Sequence, residues 1–175
     1  MFVNPEKNVA QLGLMPGMCV ADLGCGTGMY ALSCATRIPN GKVFAVEIQK
    51  GLLSSLSQEA SDRKLNNLHT IWGDIESVGG TKMADNSIDV CIVSNVLFQV
   101  ENKENFLKEI TRIIKKGGKV LIVDWADSFN SMGPIKEKVI SKEKAQTLFT
   151  SKGFVHKEDI ITGDHHYGII FTYAK

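Results

Sequence analysis

Short apolar runs alternate with stretches of helical periodicity along most of the chain. Five runs have strand length, and they span residues 18–23, 42–48, 68–72, 88–94 and 119–124. The second of them is apolar without interruption at its centre, as expected for a strand that is covered on both faces. Five segments have the spacing of helices, and they span residues 6–14, 29–38, 49–64, 102–116 and 141–152. This alternation predicts βαβ units and a parallel sheet.

The end of the chain follows a different pattern. Two further strands are predicted near residues 154–161 and 167–173, with only a short loop between them. So short a connection permits only an antiparallel hairpin. We therefore predict an α/β, Rossmann-like, doubly wound fold whose seven-stranded sheet is mostly parallel and has an antiparallel last strand. No linker or repeat divides the 175 residues, so residues 1–175 are expected to form a single domain.

Composition narrows the possible functions only modestly. The net charge is +1, and the mixture of acids and bases gives no argument for a nucleic-acid surface. No apolar run reaches the roughly 18 residues of a membrane span, and the N-terminus lacks the core of a signal peptide. A cytoplasmic location is expected. The four cysteines lack CxxC spacing, so neither zinc nor another metal is predicted.

The strongest chemical signal lies between the first strand and the next helix. Asp22 precedes three glycines at alternate positions, Gly24, Gly26 and Gly28. Glycines in such a turn allow a ligand to approach the main chain closely. Glu47 ends the second strand, where a carboxylate can accept hydrogen bonds from both hydroxyls of a ribose. Together these residues predict a cofactor that contains a ribose.

Charge indicates which cofactor this is. In a dinucleotide fingerprint the third glycine would fall at Met29, where it is absent. Asp22 places a negative charge beside the loop, which opposes a pyrophosphate. The same carboxylate suits S-adenosylmethionine, which carries an ammonium and a sulfonium. We therefore expect S-adenosylmethionine rather than a nicotinamide dinucleotide.

At this point the chain resembles the class I S-adenosylmethionine-dependent methyltransferases. It is most similar to the small type 11 group that includes the quinone-biosynthesis methyltransferases. The matching segments extend over nearly the whole chain and comprise residues 22–28, 47, 73–74, 84–89 and 116–120. The resemblance implies methyl transfer and a set of cofactor contacts from Asp22, Gly24, Cys25, Gly26, Thr27, Gly28, Glu47, Ile48, Asp74, Ile75, Ser94 and Asn95.

The resemblance also assigns roles to these residues. It places Asp22 toward the methionine ammonium and Glu47 on the ribose. Asp74 would meet the adenine amino group, with Ile48 and Ile75 against the faces of the ring. Ser94 and Asn95 would flank the sulfonium. Three alternatives remain open: Asp22 caps the loop that follows it, Glu47 is a solvated strand end, and the Gly-Asp pair at residues 73–74 is an ordinary turn.

The acceptor side is less well defined by the sequence. The substrate pocket is expected beyond the carboxyl ends of strands four and five. The candidates there are Asn95, Phe98, Gln99, Asp124, Trp125 and Asp127. Of these, Asn95, Asp124 and Trp125 are the candidate catalytic residues, with Asp124 as a base or a loop cap and Trp125 as a stacking or packing residue. Many relatives carry a histidine after strand four and this chain does not, which argues against histidine-based oxygen methylation. His165 and His166 are expected to be solvated turn residues.

The identity of the acceptor stays open. A small molecule is favoured because the nearest resemblance is to small-molecule enzymes, and a nucleic acid or protein acceptor comes second. A module that binds the cofactor without catalysis, or acts as a partner subunit, is a further alternative. The segment 128–139 is short where longer relatives insert a cap over the substrate. A short cap is compatible with an open site, a large acceptor or a homodimer.

Overall fold

A computed structural model describes residues 3–129 and 133–175 of the chain. Seven strands form a single sheet: β1 Cys19–Leu23, β2 Lys42–Glu47, β3 Leu68–Trp72, β4 Ile88–Ser94, β5 Ile114–Trp125, β6 Phe154–Ile160 and β7 His166–Tyr173. The helices are α1 Pro5–Ala10, α2 Met29–Arg37, α3 Lys50–Asp62, α4 Lys103–Ile113 and α5 Lys142–Thr150, with a short 3₁₀ turn at Lys136–Lys138.

The strands lie in the order β3-β2-β1-β4-β5-β7-β6. The first five strands are parallel to one another, whereas β7 is antiparallel to both β5 and β6. This confirms the predicted fold. The order reverses between β1 and β4, and in open parallel sheets a crevice opens beyond the carboxyl ends of the strands at such a point.

Each face of the sheet is covered by helices, so the strands are buried on both sides. Phe106 and Ile110 of α4 and Phe149 of α5 pack on one face. Leu32 of α2 and Leu56 of α3 pack on the other. Burying apolar surface on both faces explains why the central strands are nearly continuous apolar runs. No described helix is both long enough and apolar enough to cross a membrane.

The crossover from β3 to β4 consists of turns and contains no helix over residues 73–87. Glu109 of α4 fixes this segment, because its fully buried carboxylate accepts hydrogen bonds from the amides of Gly79 at 2.7 Å and Thr81 at 3.1 Å. The guanidinium of Arg112 donates to the same carboxylate at 2.8 Å. Buried backbone amides need hydrogen-bond acceptors. Here the Glu109 side chain provides the acceptors that backbone carbonyls would provide in a helix.

The predicted end of the fourth helix is wrong. The helix stops at Ile113 rather than residue 116, and Ile114 already pairs with Ile88 as the first residue of β5. Lys115 therefore belongs to β5, and its ammonium donates a hydrogen bond to the Asp89 carboxylate at 2.7 Å. Gly117 has a left-handed backbone conformation, with φ of +77°, and it lies inside β5 rather than at the end of α4. Sheet pairing has overridden the helical periodicity of these residues.

Candidate active site

A cleft lies at the carboxyl edge of the sheet, beside the reversal between β1 and β4. One half, of about 310 Å³, is lined by the ends of β2 and β3 and includes Glu47, Ile48, Asp74 and Ile75. We call it the ribose half. The other half, of about 350 Å³, contains Asp22, Cys25, Thr27, Tyr30, Ser94 and Asn95. We call it the methionine half. Gly24, Gly26 and Gln99 line both, so the structure brings together every predicted cofactor residue except Gly28.

Asp22 is buried at the end of β1 and has two roles. Its Oδ2 accepts a hydrogen bond from the Ala31 amide at 3.0 Å, so it caps the start of α2 as the alternative interpretation held. It also faces the methionine half. Burial raises the pKa of Asp22 from 3.8 to about 7, the Ala31 hydrogen bond opposes that rise, and the nearby Glu47 charge adds to it. A cation in the cleft would relieve this cost.

Glu47 is buried at the end of β2 and bonded almost entirely to main chain. Its Oε1 accepts from the amides of Ile48 at 2.9 Å and Gln49 at 3.0 Å, and its Oε2 accepts from Gly26 at 3.0 Å. A carboxylate has about four acceptor positions, so roughly one remains for a ligand. Glu47 is thus fixed in place before any ligand binds. Two ribose hydroxyls, as the sequence suggested, would have to share that position or displace an amide.

The loop glycines differ in what they permit. Gly26 has φ of +53°, and a Cβ added there would meet no atom within 4 Å, so this part of the loop is open to a ligand. A Cβ on Gly28 would lie 2.3 Å from Leu56 of α3. Gly28 therefore serves close packing between α2 and α3, and does not line the cleft. The amides of Gly24 and Cys25 both donate to the Val46 carbonyl, at 2.9 and 3.0 Å, and hold the loop against β2.

Asp74 forms a turn, as the alternative interpretation of the Gly-Asp pair proposed. Its Oδ1 accepts from the Glu76 amide at 2.9 Å and its Oδ2 from the Ser77 hydroxyl at 2.6 Å. It is half-buried at the edge of the ribose half, where Ile48 is exposed and Ile75 packs on the core. These positions would allow a planar ring to lie between the two isoleucines.

Tyr30 is a residue of the cleft that the sequence did not reveal. Its buried hydroxyl accepts from the Asn8 side chain at 2.8 Å and bonds to the Ser94 side chain. It lines the methionine half beside Asp22. The only signal in the sequence is its position one residue inside the helix that follows the glycine loop. Cys25, by contrast, has no nucleophilic character, because burial raises the pKa of its thiol well above the ordinary value.

Asp124, the candidate base, is buried and bonded to backbone. Its Oδ2 accepts from the Leu97 amide at 2.8 Å and its Oδ1 from the Trp125 amide at 2.8 Å. Burial raises the pKa of Asp124 to about 6, although the hydrogen bonds from these amides lower it. The carboxylate lies outside both halves of the cleft. The geometry favours a role in holding the turn that follows β4.

His165 lies in a turn, as expected, but His166 belongs to β7, and both rings have partners rather than being freely solvated. Antiparallel pairing places His166 opposite Trp125, and the two rings are in contact, with centroids 4.2 Å apart and planes tilted by 40°. His166 Nε2 lies 3.1 Å from Asn95 Oδ1. His165 pairs with Asp127 at 2.9 Å and stacks on Phe129 at 3.9 Å. The left-handed backbone of His165, with φ of +64°, precedes the strand and turns its ring away from that of His166 toward Asp127 and Phe129.

Comparison with known proteins gives a consistent result. A family profile described as a methyltransferase domain matches residues 14–169. A demethylmenaquinone methyltransferase of Geobacillus sp. is 27% identical over 68% of this chain and 50% of its own length. One from Oceanobacillus iheyensis is 28% identical over 89% of this chain and 71% of its own. The chain thus spans about half the length of several of the curated relatives it matches.

A solved structure shows the same fold. The crystal structure of an S-adenosylmethionine-dependent methyltransferase from Aquifex aeolicus superposes with a TM-score of 0.88 at 22% identity. The alignment covers 99% of this chain and 91% of that one.

Proposed function

The chain belongs to the family of S-adenosylmethionine-dependent methyltransferase domains, and from this premise we propose that it moves a methyl group to a small-molecule acceptor. The observation that carries the proposal is the pair of buried carboxylates, Asp22 and Glu47, on either side of the open loop at Gly26. All seven strands belong to one sheet, which supports a single domain over residues 1–175.

The residues of the cleft fit the chemistry of S-adenosylmethionine. Asp22 supplies negative charge in the methionine half, where the ligand's ammonium would neutralise it. Glu47 retains an acceptor position toward the ribose half. The open space beside Gly26 joins the two halves, so an extended ligand can occupy both. A pyrophosphate would face two carboxylates in the same place, which disfavours a dinucleotide.

The protein's part in the reaction is to hold and orient. S-adenosylmethionine supplies, when bound, an electrophilic methyl group on a sulfonium centre. Asp22 and Glu47 fix the two ends of the donor, and Asn95 borders the methionine half at the end of β4. In-line positioning of donor and acceptor can account for much of the rate of such a displacement. Because both oxygens of Asp124 are bonded to amides, we propose that it keeps the turn after β4 in place, with Trp125 bordering the acceptor.

A small acceptor is supported by the relatives, whose names place them in quinone methylation. Pro5 and the exposed side chain of Met29 line the methionine half, and we propose that the acceptor enters beside them. A quinol ring is the first acceptor to test.

The test is a parallel calorimetric titration with S-adenosylmethionine, S-adenosylhomocysteine and NAD. We expect micromolar binding of the first two and none of the third. Binding of NAD alone would overturn the proposal. If both adenosyl ligands bind, demethylmenaquinol and a panel of phenols are offered with a labelled methyl donor. Donor binding with no turnover on any acceptor would favour a cofactor-binding module instead.

A further inference from the structure

His166 and Asn95 form a polar pair at the edge of the methionine half. The two ring nitrogens of His166 face two oxygens: Nδ1 lies 3.1 Å from the Asp164 carbonyl, and Nε2 lies 3.1 Å from Asn95 Oδ1. The ring is held from the side by contact with the Trp125 ring, which is tilted by 40° to it. Asn95 lines the methionine half, so a change in the orientation of its side chain alters the surface that the donor would contact.

The protons of the ring decide how the Asn95 carboxamide is oriented. A peptide carbonyl can only accept, so the Asp164 carbonyl keeps a proton on Nδ1. A charged imidazole also donates from Nε2 and therefore holds Oδ1 of Asn95, which is the orientation that the structure shows. A neutral imidazole has a bare Nε2, which can only accept, so Asn95 must turn its NH₂ group toward it. The end of the carboxamide that His166 does not hold is left for the cleft.

We propose that His166 is a positioning residue that selects which end of the Asn95 carboxamide faces the methionine half, the neutral ring turning the carbonyl oxygen there. The proposal rests on the proposed function, since it places the sulfonium of the methyl donor in that half. A carbonyl oxygen attracts a sulfonium, and an NH₂ group repels it. The neutral state therefore favours the charged methyl donor over its neutral thioether product.

The surroundings of the ring favour the neutral state near pH 7. Burial lowers the pKa of His166, and the charge of His165 lowers it further. Asp127 acts in the opposite direction, but it is paired with His165 at 2.9 Å. Asp164, on the adjoining loop, bonds to the ring through its backbone carbonyl. Trp125, on the neighbouring strand, covers the ring without a charge.

A purely conformational role for Asn95 makes different predictions. Its φ is +56°, a left-handed conformation that asparagine tolerates better than most residues. If backbone conformation were its whole role, replacing His166 would leave the choice between ligands unchanged. The decisive quantity is therefore the ratio of the two ligand affinities, not either affinity alone.

The experiment measures binding of S-adenosylmethionine and S-adenosylhomocysteine between about pH 5 and about pH 8. Asp22 also contributes to this pH dependence, because the sulfonium gives S-adenosylmethionine a positive charge that S-adenosylhomocysteine lacks, but that contribution is shared by the unaltered protein and by variants of His166. In the unaltered protein we expect the preference for S-adenosylmethionine to grow with rising pH about fivefold more than in such variants, the scale of one hydrogen-bond interaction. In His166→Phe, which keeps a ring against Trp125, only the Asp22 contribution is expected to remain.

Two variants control the result. His166→Gln keeps a group that can bond to Asn95 but does not titrate, so its ratio should change with pH only as much as that of His166→Phe. His165→Asn removes the charge that lowers the His166 pKa, so the rise in preference should persist but move to higher pH. A ratio that does not change with pH in the unaltered protein, or that changes equally in His166→Phe, overturns the proposal.

Nuclear magnetic resonance tests the pair without any ligand. We expect the neutral ring of His166 to carry its proton on Nδ1, and the side-chain amide signals of Asn95 to shift as His166 titrates. A neutral ring protonated on Nε2, or amide signals that ignore the titration, contradicts the inference. If neither ligand binds, the proposed function fails, and this measurement still decides whether His166 orients Asn95.

Discussion

The amide of Gly26 donates a hydrogen bond of 3.0 Å to the carboxylate of Glu47, which joins the glycine loop to the end of the second strand. The same carboxylate holds the amides of Ile48 and Gln49. The residue expected to recognise the ribose is therefore also the one that shapes the loop under it. A change at Glu47 should affect ligand affinity and the unliganded fold together.

Replacing Glu47 by glutamine should lower both the donor affinity and the stability of the unliganded fold. In the unaltered protein each of these backbone N–H groups donates to a carboxylate oxygen. In the variant one of them would face the new NH₂ group and lose its acceptor. We expect donor affinity and the free energy of unfolding each to fall by about 1–3 kcal/mol. Glu59→Gln is the matched control, because Glu59 is an exposed carboxylate of α3 that lines neither half of the cleft. Titration calorimetry and chemical denaturation measure the two quantities, and affinity as high in Glu47→Gln as in the control would contradict the assignment.

Asp22 should make donor binding depend on pH. Its pKa of about 7 means that it is largely protonated below neutrality, and an ammonium ligand binds best to the ionised form. Affinity should rise as pH rises to about 7 and level off above it, whereas Asp22→Asn should bind weakly at every pH. Proton release on binding, measured in buffers of different ionisation enthalpy, checks this directly. Such a group titrates between about pH 5 and about pH 8. A wild-type donor affinity that does not change over this range would rule out the contact of Asp22 with the ammonium.

The same shift has a consequence for stability. Between pH 3.8 and about 7 the folded protein holds a proton on Asp22 that the unfolded chain has already released. The Asp22 contribution therefore makes the free energy of unfolding fall as pH rises through this window. Asp22→Asn keeps an oxygen for the Ala31 amide and removes the titration. Relative to the unaltered protein, its stability should improve with rising pH, as denaturation at several pH values would show.

Two glycine substitutions should separate packing from binding. Gly28→Ala places a methyl group 2.3 Å from Leu56, so we expect a large loss of stability, on the order of 2–4 kcal/mol including the left-handed backbone. Gly26→Ala meets no neighbour, so its cost should be the backbone term of about 1–2 kcal/mol. Gly26→Ala should nevertheless lose donor affinity, because its methyl group enters the open part of the cleft. Thermal melts and titrations of both variants test this, and the opposite order of stabilities would refute it.

Two buried tyrosines should respond differently to loss of their hydroxyl. Tyr30→Phe leaves the Asn8 side chain and Ser94 without a partner, at a cost of about 1–3 kcal/mol. The hydroxyl of Tyr167 has no hydrogen-bond partner among the described residues. Tyr167→Phe should therefore leave stability unchanged or raise it by up to about 1 kcal/mol. Urea denaturation compares them, and an equal loss in both would show that Tyr167 has a partner after all.

The sequence was informative where residues that act together are close in the chain or end adjacent strands. Asp22 and Gly26 belong to one turn, and Glu47 ends the next strand, so strand order alone brings them together. The antiparallel hairpin followed from the short loop before β7. These inferences need only local periodicity and the rules of strand connection.

Contacts between distant parts of the chain could not be predicted in this way. Tyr30 meets Asn8, and His166 meets Asn95, only because helices and strands pack in a particular arrangement. Polar patterning placed His166 in solvent, since nothing in the sequence shows that β7 lies between β5 and β6. Glu109 likewise gives no sign that it satisfies the amides of a distant crossover. Local periodicity shows which residues share a face, but not which side chains lie opposite them.

The donor side and the proposed acceptor side of the site come from different parts of the chain. Most of the donor cleft is built at the ends of β1, β2 and β3, whereas the ring contacts of Trp125 with His166 and of Phe129 with His165 come from the last third of the sequence. Only the turn at Asn95 belongs to both. Evolution can therefore exchange the later segments to accept new substrates while the earlier ones keep the same donor. A laboratory library confined to residues 126–129 would explore new acceptors at little cost to donor binding, because Trp125, His166 and Asn95 keep their contacts.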